Sequence, residues 1–238
     1  MIFKIMSDNE LRNKWIRCIK YNVVKYNLFS PFFIIINIFY TYYLTFKFCG
    51  LTIKNVFVFT NGIFYIDFEK HKSSTVIIRN NAFIEFGKFS NQRSSRIRLG
   101  KNASLRINGC LSIGEDNFID IRNDASLSIG GREVSGITSS SKIICTKNII
   151  IGSGVLISWG CFISDSSHHS INGIIKVGEV VIGNHVWINN DVMILPFSKI
   201  NDGSIVMAKS LINKKFHSTN VIIGGTPGVI IKNNIIWE

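Results

Sequence analysis

The amino-acid sequence predicts an all-β protein, a parallel β-helix that follows a short and partly helical N-terminal extension. Aliphatic residues recur every six positions through most of residues 51–231, and glycine often follows them. A period of six is neither the 3.6 of an α-helix nor the two of a simple strand. It fits a short strand, a sharp turn and another strand, with the aliphatic side chain pointing inward and glycine or asparagine in the turn.

The repeat is clearest in residues 180–206. Two interleaved series show it: Ile182, Ile188, Ile194, Ile200 and Val206, and Val180, Val186 and Val192. The same spacing relates Ile151, Ile157 and Ile163, and earlier Leu99, Leu105 and Leu111. Three such units close one triangular coil, and coils stack about 4.8 Å apart through parallel strand pairing. Because one coil cannot bury its own inner face, stacking supplies the core. Residues 51–238 are therefore predicted to form one β-helix domain.

Residues 1–50 form the predicted extension, and its most apolar part is the uncharged segment 28–46. Asp8 and Glu10 interrupt the start of the chain, which argues against a secretory signal peptide. Six basic and two acidic residues precede the segment, within residues 1–26. We expect a surface-seeking, partly helical segment that contacts the cytoplasmic leaflet of a membrane. A transmembrane helix and a plain hydrophobic cap on the next domain are the alternatives.

Composition restricts the function classes further. The 238 residues carry a net charge of +12, which favours an anionic partner such as a lipid surface or an acidic substrate. Nucleic acid is not expected, because the chain has no helix-turn-helix, zinc-finger spacing or aromatic–glycine RNA-binding signature. The five cysteines include no CxxC pair, which predicts inert thiols in a reducing, cytoplasmic compartment.

Two adjacent histidines lie in the stretch "ISDSSHHSIN", residues 163–172. Here the repeat loses its phase, because the separation of Ile163 and Ile182 exceeds a full coil by one position. Something must bulge or loop out near residues 164–181. Loops that interrupt a rigid repeat commonly carry function, so this loop is the candidate active site.

The region 151–238 resembles the capsule and O-antigen O-acetyltransferases among the hexapeptide-repeat acyltransferases. The pattern "DSSHHSI" is similar to that family's aspartate, three residues, catalytic histidine, small residue and isoleucine. The resemblance implies a left-handed β-helix, with His169 as the catalytic base and Asp165 as the matching aspartate. The family's second aspartate is replaced by Ser167, so Asp165 or a backbone carbonyl is expected to orient the imidazole.

The stretch "VIGNHVWINNDVMILP", residues 181–196, resembles a second family motif. In the relatives its tryptophan lies at the active site, which makes Trp187 a candidate for shaping the pocket and contacting the acyl group. An outward tryptophan that packs between subunits is the alternative. Asn189 replaces a glycine of the motif and is expected to adopt the left-handed turn conformation.

A third motif, "IIGGTPGVIIK" at residues 222–232, resembles the family's loop near the adenine and phosphates of the coenzyme. Val229 stands where the family has a lysine, so other lysines are expected to replace that phosphate contact. The resemblance implies a coenzyme site formed by Trp187, Lys209, Lys214, Gly224, Gly225, Thr226, Pro227 and Lys232. The alternative, a simple turn at the end of the β-helix, is compatible with this role.

The resemblance thus implies an acetyl-CoA-dependent O-acetyltransferase acting on a sugar of an O-antigen, capsule or precursor. It further implies a homotrimer with each site between two β-helices. The basic surface and the segment 28–46 fit a substrate at the inner membrane face, so a cytoplasmic protein with a peripheral membrane contact is expected. No metal is expected, because no two histidines have the five-residue spacing of the zinc sites known in this fold. Acetylation of a small molecule, such as an amino sugar or an antibiotic, is the alternative enzyme function. A catalytically silent, glycan-binding β-helix is the alternative outside the enzymes.

Overall fold

The computed structural model describes residue 16 and residues 30–50, 58–60, 66–79, 82–87 and 94–238. Most of the basic segment 1–26, and Cys18 within it, lie outside the described residues, as do residues 51–57 at the predicted domain boundary. The described chain has one long helix, α1 (Ser30–Cys49), followed by short strands that form three sheets.

Each sheet is one face of a three-sided coil. Face A contains β1 (Val58–Thr60), β4 (Phe83–Phe86), β7 (Cys110–Glu115), β10 (Ser135–Ser139), β13 (Leu156–Ile157), β16 (Trp187–Ile188), β19 (Ile205–Val206), β21 (Ile222–Gly224) and β22 (Val229–Lys232). Face B contains β2 (Asp67–Lys70), β5 (Arg96–Leu99), β8 (Phe118–Ile121), β11 (Lys142–Cys145), β14 (Phe162–Ser164), β17 (Met193–Ile194) and β20 (Leu211–Ile212). Face C contains β3 (Thr75–Ile78), β6 (Ser104–Ile107), β9 (Ser126–Ile129), β12 (Asn148–Ile151), β15 (Val180–Ile182) and β18 (Lys199–Ile200).

The chain passes through faces A, B and C in turn, and strands of successive coils pair in parallel. The last pair, β21 with β22, is antiparallel. This order is that of a parallel β-helix, so the predicted architecture is confirmed. We name the turns between faces corner AB, corner BC and corner CA.

Coil length varies along the β-helix. Ile188 pairs with Val206 and Ile194 with Ile212, so these coils have the predicted length of three six-residue units. Further towards the N-terminus the coils are longer, because Leu99 pairs with Ile121, whereas three such units would bring it to Asn117. The strands there have four residues instead of two. The predicted coil of three six-residue units therefore holds only for the last coils.

The core is the stack of inward side chains predicted from the period. Ile182, Ile188, Ile194 and Ile200 are at most 1% exposed, and all four belong to one continuous cluster. Corner residues adopt the left-handed conformation that a sharp turn needs. Asp191, with φ 57°, has it in the turn after β16, and the prediction for Asn189 is wrong by two positions.

Helix α1 closes the N-terminal end of this core. Leu44 and Phe48 are buried in the core cluster, and the Phe48 ring stacks on Phe68 with 3.7 Å between centroids. The prediction of a hydrophobic cap is therefore confirmed for this side of the helix. By length and composition alone, Pro31–Cys49 is also apolar enough to cross a membrane.

Candidate active site

The two histidines lie in a long excursion at corner BC, between Ser164 at the end of β14 and Val180 at the start of β15. Ile163 pairs with Ile194 on face B, while Ile182 pairs with Ile151 on face C. Ile163 and Ile182 are therefore neighbours around one corner, which a single six-residue unit normally spans. The excursion adds two further units and one residue to this corner. The excursion lies where the loss of phase predicts a loop. However, Ile163 and Ile182 are not one full coil apart with a slip of one position, because they flank a single enlarged corner.

Asp165 begins the excursion and is completely buried. Its carboxylate accepts hydrogen bonds from three backbone N–H groups of the coil beneath, those of Thr146 (2.6 Å), Lys147 (2.7 Å) and Asn148 (2.7 Å). In the part of the chain that the structure describes, no hydrogen bond joins Asp165 to either imidazole. The predicted orienting residue instead fastens the excursion to the β-helix, because its oxygens are directed at a backbone turn.

His168 is held inside the loop base. Its Nε2 lies 3.0 Å from the Ser164 hydroxyl, and its backbone N–H donates to Ser166 Oγ at 3.0 Å. Its Nδ1 is buried, with no hydrogen-bond partner among the described residues. Burial, assisted by the positive charge of Arg122, lowers the pKa of His168 below 6.5. The surroundings of this imidazole therefore favour its neutral form.

His169, the predicted base, is exposed on the excursion. Its backbone carbonyl accepts a hydrogen bond from the Ser167 hydroxyl at 3.0 Å. That hydroxyl also accepts the N–H of Lys176 at 3.1 Å, and the Ser167 N–H donates to the Lys176 carbonyl at 2.8 Å. Ser167, which replaces the family aspartate, thus holds the backbone that presents His169 and leaves the imidazole open to solvent.

Trp187 is not next to His169 in a single chain. It lies on face A, paired with Leu156 below and Ile205 above, and its indole N–H donates to Ser158 Oγ at 3.3 Å. The ring of Trp237, near the C-terminus, lies 6.0 Å away. His169 and Trp187 are one nominal coil apart in the sequence, a spacing that would place Trp187 above the histidine in a regular coil. This stacking does not occur, because Trp187 lies above Leu156.

The predicted coenzyme residues fall into two groups. Thr226 lies beside Lys209 at corner AB, and its hydroxyl donates to the Lys209 carbonyl at 3.3 Å. Gly224, Gly225 and Pro227 belong to the same turn, and Lys232 is exposed on the adjoining β22. Lys214 lies instead at corner BC, beyond the excursion, with its ammonium 5.4 Å from the Phe216 ring centroid.

The cysteines provide no nucleophile in the described part of the chain. Cys161 is 1% exposed, and its thiol lies 3.0 Å from the Asn189 carbonyl. Burial raises its pKa to about 11, and burial raises the pKa of Cys145 as well. Among these residues there is also no cluster of three histidine, cysteine or acidic side chains that could hold a metal ion.

Sequence reasoning missed three groups near the excursion. Ser164 contacts His168, Arg122 lies close enough to influence its charge, and the Thr146 N–H donates to Asp165. Arg122 and Thr146 come from earlier coils, so no local motif marks them. Arg122 follows β8 in an alternation of charged residues with Asp120 and Asp124, and this alternation was the available signal for it.

The repeat of this chain is found in known transferases. The family model described as bacterial transferase hexapeptide (six repeats) matches residues 179–214, which contain β15 to β20. The chloramphenicol acetyltransferase of Morganella morganii is 40% identical over 63 residues, 26% of this chain and 30% of that protein. The match therefore spans under a third of the length of that curated relative.

Two further proteins match over longer ranges. The provisionally named lipopolysaccharide biosynthesis O-acetyl transferase WbbJ of Escherichia coli (strain K12) is 27% identical over 156 residues, 50% of this chain and 79% of that protein. The crystal structure of the polySia specific acetyltransferase NeuO superposes with a TM-score of 0.50 at 19% identity, covering 74% of this chain and 88% of that one. The second likeness is one of fold, and it agrees with the left-handed parallel β-helix that the sequence predicts.

Proposed function

We propose that this chain, whose repeat matches the bacterial transferase hexapeptide model over residues 179–214 and whose fold is a parallel β-helix, is an acetyl-CoA-dependent O-acetyltransferase. Its acceptor is a sugar hydroxyl of a surface polysaccharide, such as an O-antigen or capsule, or of its precursor. The observation that carries the proposal is the exposed His169, presented by a long excursion from an otherwise closely paired scaffold. The match to an O-acetyl transferase named for lipopolysaccharide biosynthesis supports the acceptor class.

His169 supplies the chemistry. A sugar hydroxyl is a poor nucleophile until a base removes its proton, and an imidazole can do so near neutral pH. As the proton moves to His169, the hydroxyl oxygen attacks the thioester carbonyl carbon. The carbon–sulfur bond then breaks, and the thiolate takes the proton from the imidazolium. The products are an acetyl ester and coenzyme A, and no covalent enzyme intermediate is needed.

The test is acetyl-CoA turnover with a panel of surface glycans. His169→Ala is expected to lower kcat at least about 100-fold, since general-base catalysis contributes that much, while coenzyme A still binds. His217→Ala, a change at an exposed histidine outside the excursion, is the matched control. Full activity in His169→Ala would contradict the mechanism, and failure of the wild-type protein to bind coenzyme A would favour a silent scaffold.

The coenzyme substrate is assigned to the turn at corner AB and the lysines near it. Gly225 has φ 101°, so this turn brings backbone close to the surface without a side chain in the way. Lys209 and Lys232 can neutralise phosphate charge beside this turn, and Lys214 can do so at corner BC. Val229, which replaces the family lysine, is exposed on β22 and supplies no charge.

A homotrimer explains how the separated residues form one site. His169 projects from corner BC, whereas Trp187 and the Gly224–Pro227 turn lie on face A and at corner AB. A cyclic arrangement can set corner BC of one subunit against face A of the next, so that each site takes residues from two copies. We therefore assign catalysis to the interface between subunits.

The enzyme is assigned to the cytoplasm, at the inner face of the membrane. Helix α1 supports this because it buries polar Asn37, Thr41 and Thr45, in addition to Leu44 and Phe48, and leaves large apolar side chains exposed. The apolar residues that point outward are Phe32, Ile35, Phe39, Tyr43 and Phe46, each more than half exposed. Such a face suits lipid. Sedimentation with phosphatidylglycerol vesicles is expected for the wild type and is expected to be lost in Phe39→Glu.

A small hydroxylated acceptor is the second candidate. The 40% identity to a chloramphenicol acetyltransferase favours it, although the match covers only 63 residues. The same base and the same coenzyme site would serve. Turnover with chloramphenicol, in the assay used for the glycans, separates the two acceptors directly.

A further inference from the structure

A groove runs along corner BC below the excursion, towards the N-terminal end of the β-helix. Its volume is about 670 Å³. The residues that matter for its chemistry are Lys70, Arg98, Asp120, Arg122, Asn123 and Thr146. With Glu69, these side chains make three cationic and two anionic groups, so the groove is positive. We call it the corner groove.

One buried carboxylate fixes both arginines. Arg98 donates two hydrogen bonds to Asp120, of 3.0 and 2.9 Å, and Arg122 Nε lies 3.6 Å from Asp120 Oδ2. The Asp120 side chain is only 4% exposed, whereas those of Arg98 and Arg122 are 49% and 47% exposed. The carboxylate balances one charge and orients two guanidinium groups, and each half-exposed guanidinium keeps N–H donors that Asp120 does not use.

The corner groove leads to the candidate base. Strand pairing stacks Ser164 on Ile144, Ile144 on Asp120, and Asp120 on Arg98. Ser164 contacts His168, the residue before His169. Three strand spacings of about 4.8 Å place Arg98 about 14 Å below Ser164, and Arg122 lies closer. A few linked sugar residues bridge this distance.

A second observation also points to a ligand here. Thr146 lines the groove, and its buried Oγ1 has no hydrogen-bond partner among the described residues, like Nδ1 of His168. Buried polar atoms ordinarily have a partner in the protein, in water or in a ligand. Ser164, which contacts His168, stacks on Ile144, two residues before Thr146, so both residues belong to neighbouring coils at corner BC.

We propose that the corner groove binds an acidic glycan, with carboxylates of the sugar chain on Arg98 and Arg122 and a nearby sugar hydroxyl at His169. Paired guanidinium groups suit carboxylates because each can donate two parallel N–H bonds. The coenzyme residues belong to later coils, beyond the excursion, so the acceptor approaches from the N-terminal side. This assignment rests on the proposed function and narrows its acceptor to anionic polysaccharides.

The test measures binding by calorimetry, without acetyl-CoA, for hexasaccharides of hyaluronan, polygalacturonate and polysialic acid, with maltohexaose and chitohexaose as neutral probes. At least one acidic probe is expected to bind at least about tenfold more tightly than the neutral ones. Arg98→Gln and Arg122→Gln are each expected to weaken that binding about tenfold. Added salt is expected to weaken it as well. Arg106→Gln, at an exposed arginine on face C, is the matched control and is expected to change nothing.

Several results would overturn the assignment to an acidic glycan. Equal binding of acidic and neutral probes is one, and unchanged binding in both arginine variants is another. Weaker coenzyme A binding in the arginine variants with unchanged glycan binding is a third, because the groove would then serve the coenzyme's phosphates. Failure of the proposed function gives a different result. The wild-type protein then binds the acidic probe but does not bind coenzyme A, and His169→Ala does not lower acetyl-CoA turnover.

Discussion

Asp165 illustrates how a residue can be marked by sequence and yet act differently in the fold. The motif indicates a partner for the imidazole proposed as the base, but the Asp165 carboxylate accepts hydrogen bonds from three backbone N–H groups of residues 146–148. Those residues precede it by one coil, so their proximity depends on stacking and not on local spacing. At this scale the chemical type of a residue was predictable, whereas its partner was not.

Replacing Asp165 by alanine is expected to destabilise the fold by about 3 kcal/mol, because three backbone N–H groups lose the buried carboxylate that accepts their hydrogen bonds. The free energy of unfolding from urea titration measures this. Glu69→Ala, at an exposed carboxylate on β2, is the control and is expected to cost no more than about 0.5 kcal/mol. If Asp165→Ala loses activity with unchanged stability, the carboxylate acts on the base and the structural role is refuted.

His168 is expected to make stability depend on pH. Its pKa is lowered in the folded state by burial, so below pH 6.5 the unfolded chain binds the proton more readily. The stability contributed by the neutral imidazole is complete above 6.5 and is lost as the pH falls through the lower, folded-state pKa. Urea unfolding at pH about 5.5 and about 7.5 should therefore show a smaller difference for His168→Gln than for the wild type. An equal difference in both proteins would contradict this, and His217→Gln controls for the glutamine itself.

At the scale of strands and coils, the six-residue period predicted the inward residues well. Each period places one aliphatic side chain towards the axis, and the resulting core is continuous from Val58 to Ile223. Coil length was less predictable, because the earlier coils lengthen their strands and turns while keeping the inward positions. Successive coils also approach each other closely, and at some positions only glycine leaves enough space between the two backbones.

Gly114 on β7 is one such glycine. A Cβ atom there would lie 1.6 Å from the Thr138 carbonyl oxygen of the next coil, so Gly114→Ala must push two backbones apart. We expect a loss of about 3 kcal/mol in stability, at the upper end of overpacking costs. Gly136 on β10 of the same face has only a side-chain atom, at 3.7 Å, near the position that a Cβ would take. Gly136→Ala should stay within about 0.5 kcal/mol, and equal melting temperatures for the two variants would refute the account.

At the scale of the whole molecule, the predicted site residues are separated. A single chain holds His169 at corner BC and Trp187 on face A, with the body of the β-helix between the two. Helix α1 adds an outward apolar face at the N-terminal end. We propose that assembly of subunits brings the separated site residues together and that a membrane covers the exposed apolar face of helix α1.

Mixed subunits test the shared site. His169→Ala and Trp187→Ala proteins, each impaired alone, are unfolded together in equal amounts and refolded. If every site takes His169 from one copy and Trp187 from the next, about a quarter of the sites regain both residues, because each copy is the suitable one half of the time. Recovery of about a quarter of wild-type turnover is therefore expected. Recovery of none would place both residues in one subunit's site or leave Trp187 outside it.

The repeat, the inward core and the position of the excursion could be predicted from the sequence, because the six-residue period and its loss of phase are local patterns. The length of the excursion could not be predicted. A periodic pattern shows how far a loop departs from a whole number of six-residue units, here by one residue, but it does not show how many whole units the loop contains. The true length decides which coil lies under each residue. Stacking across coils consequently brought Asp165 to Thr146, Arg122 towards His168 and Trp187 onto Leu156, and these contacts between distant parts of the chain are what only the folded molecule reveals.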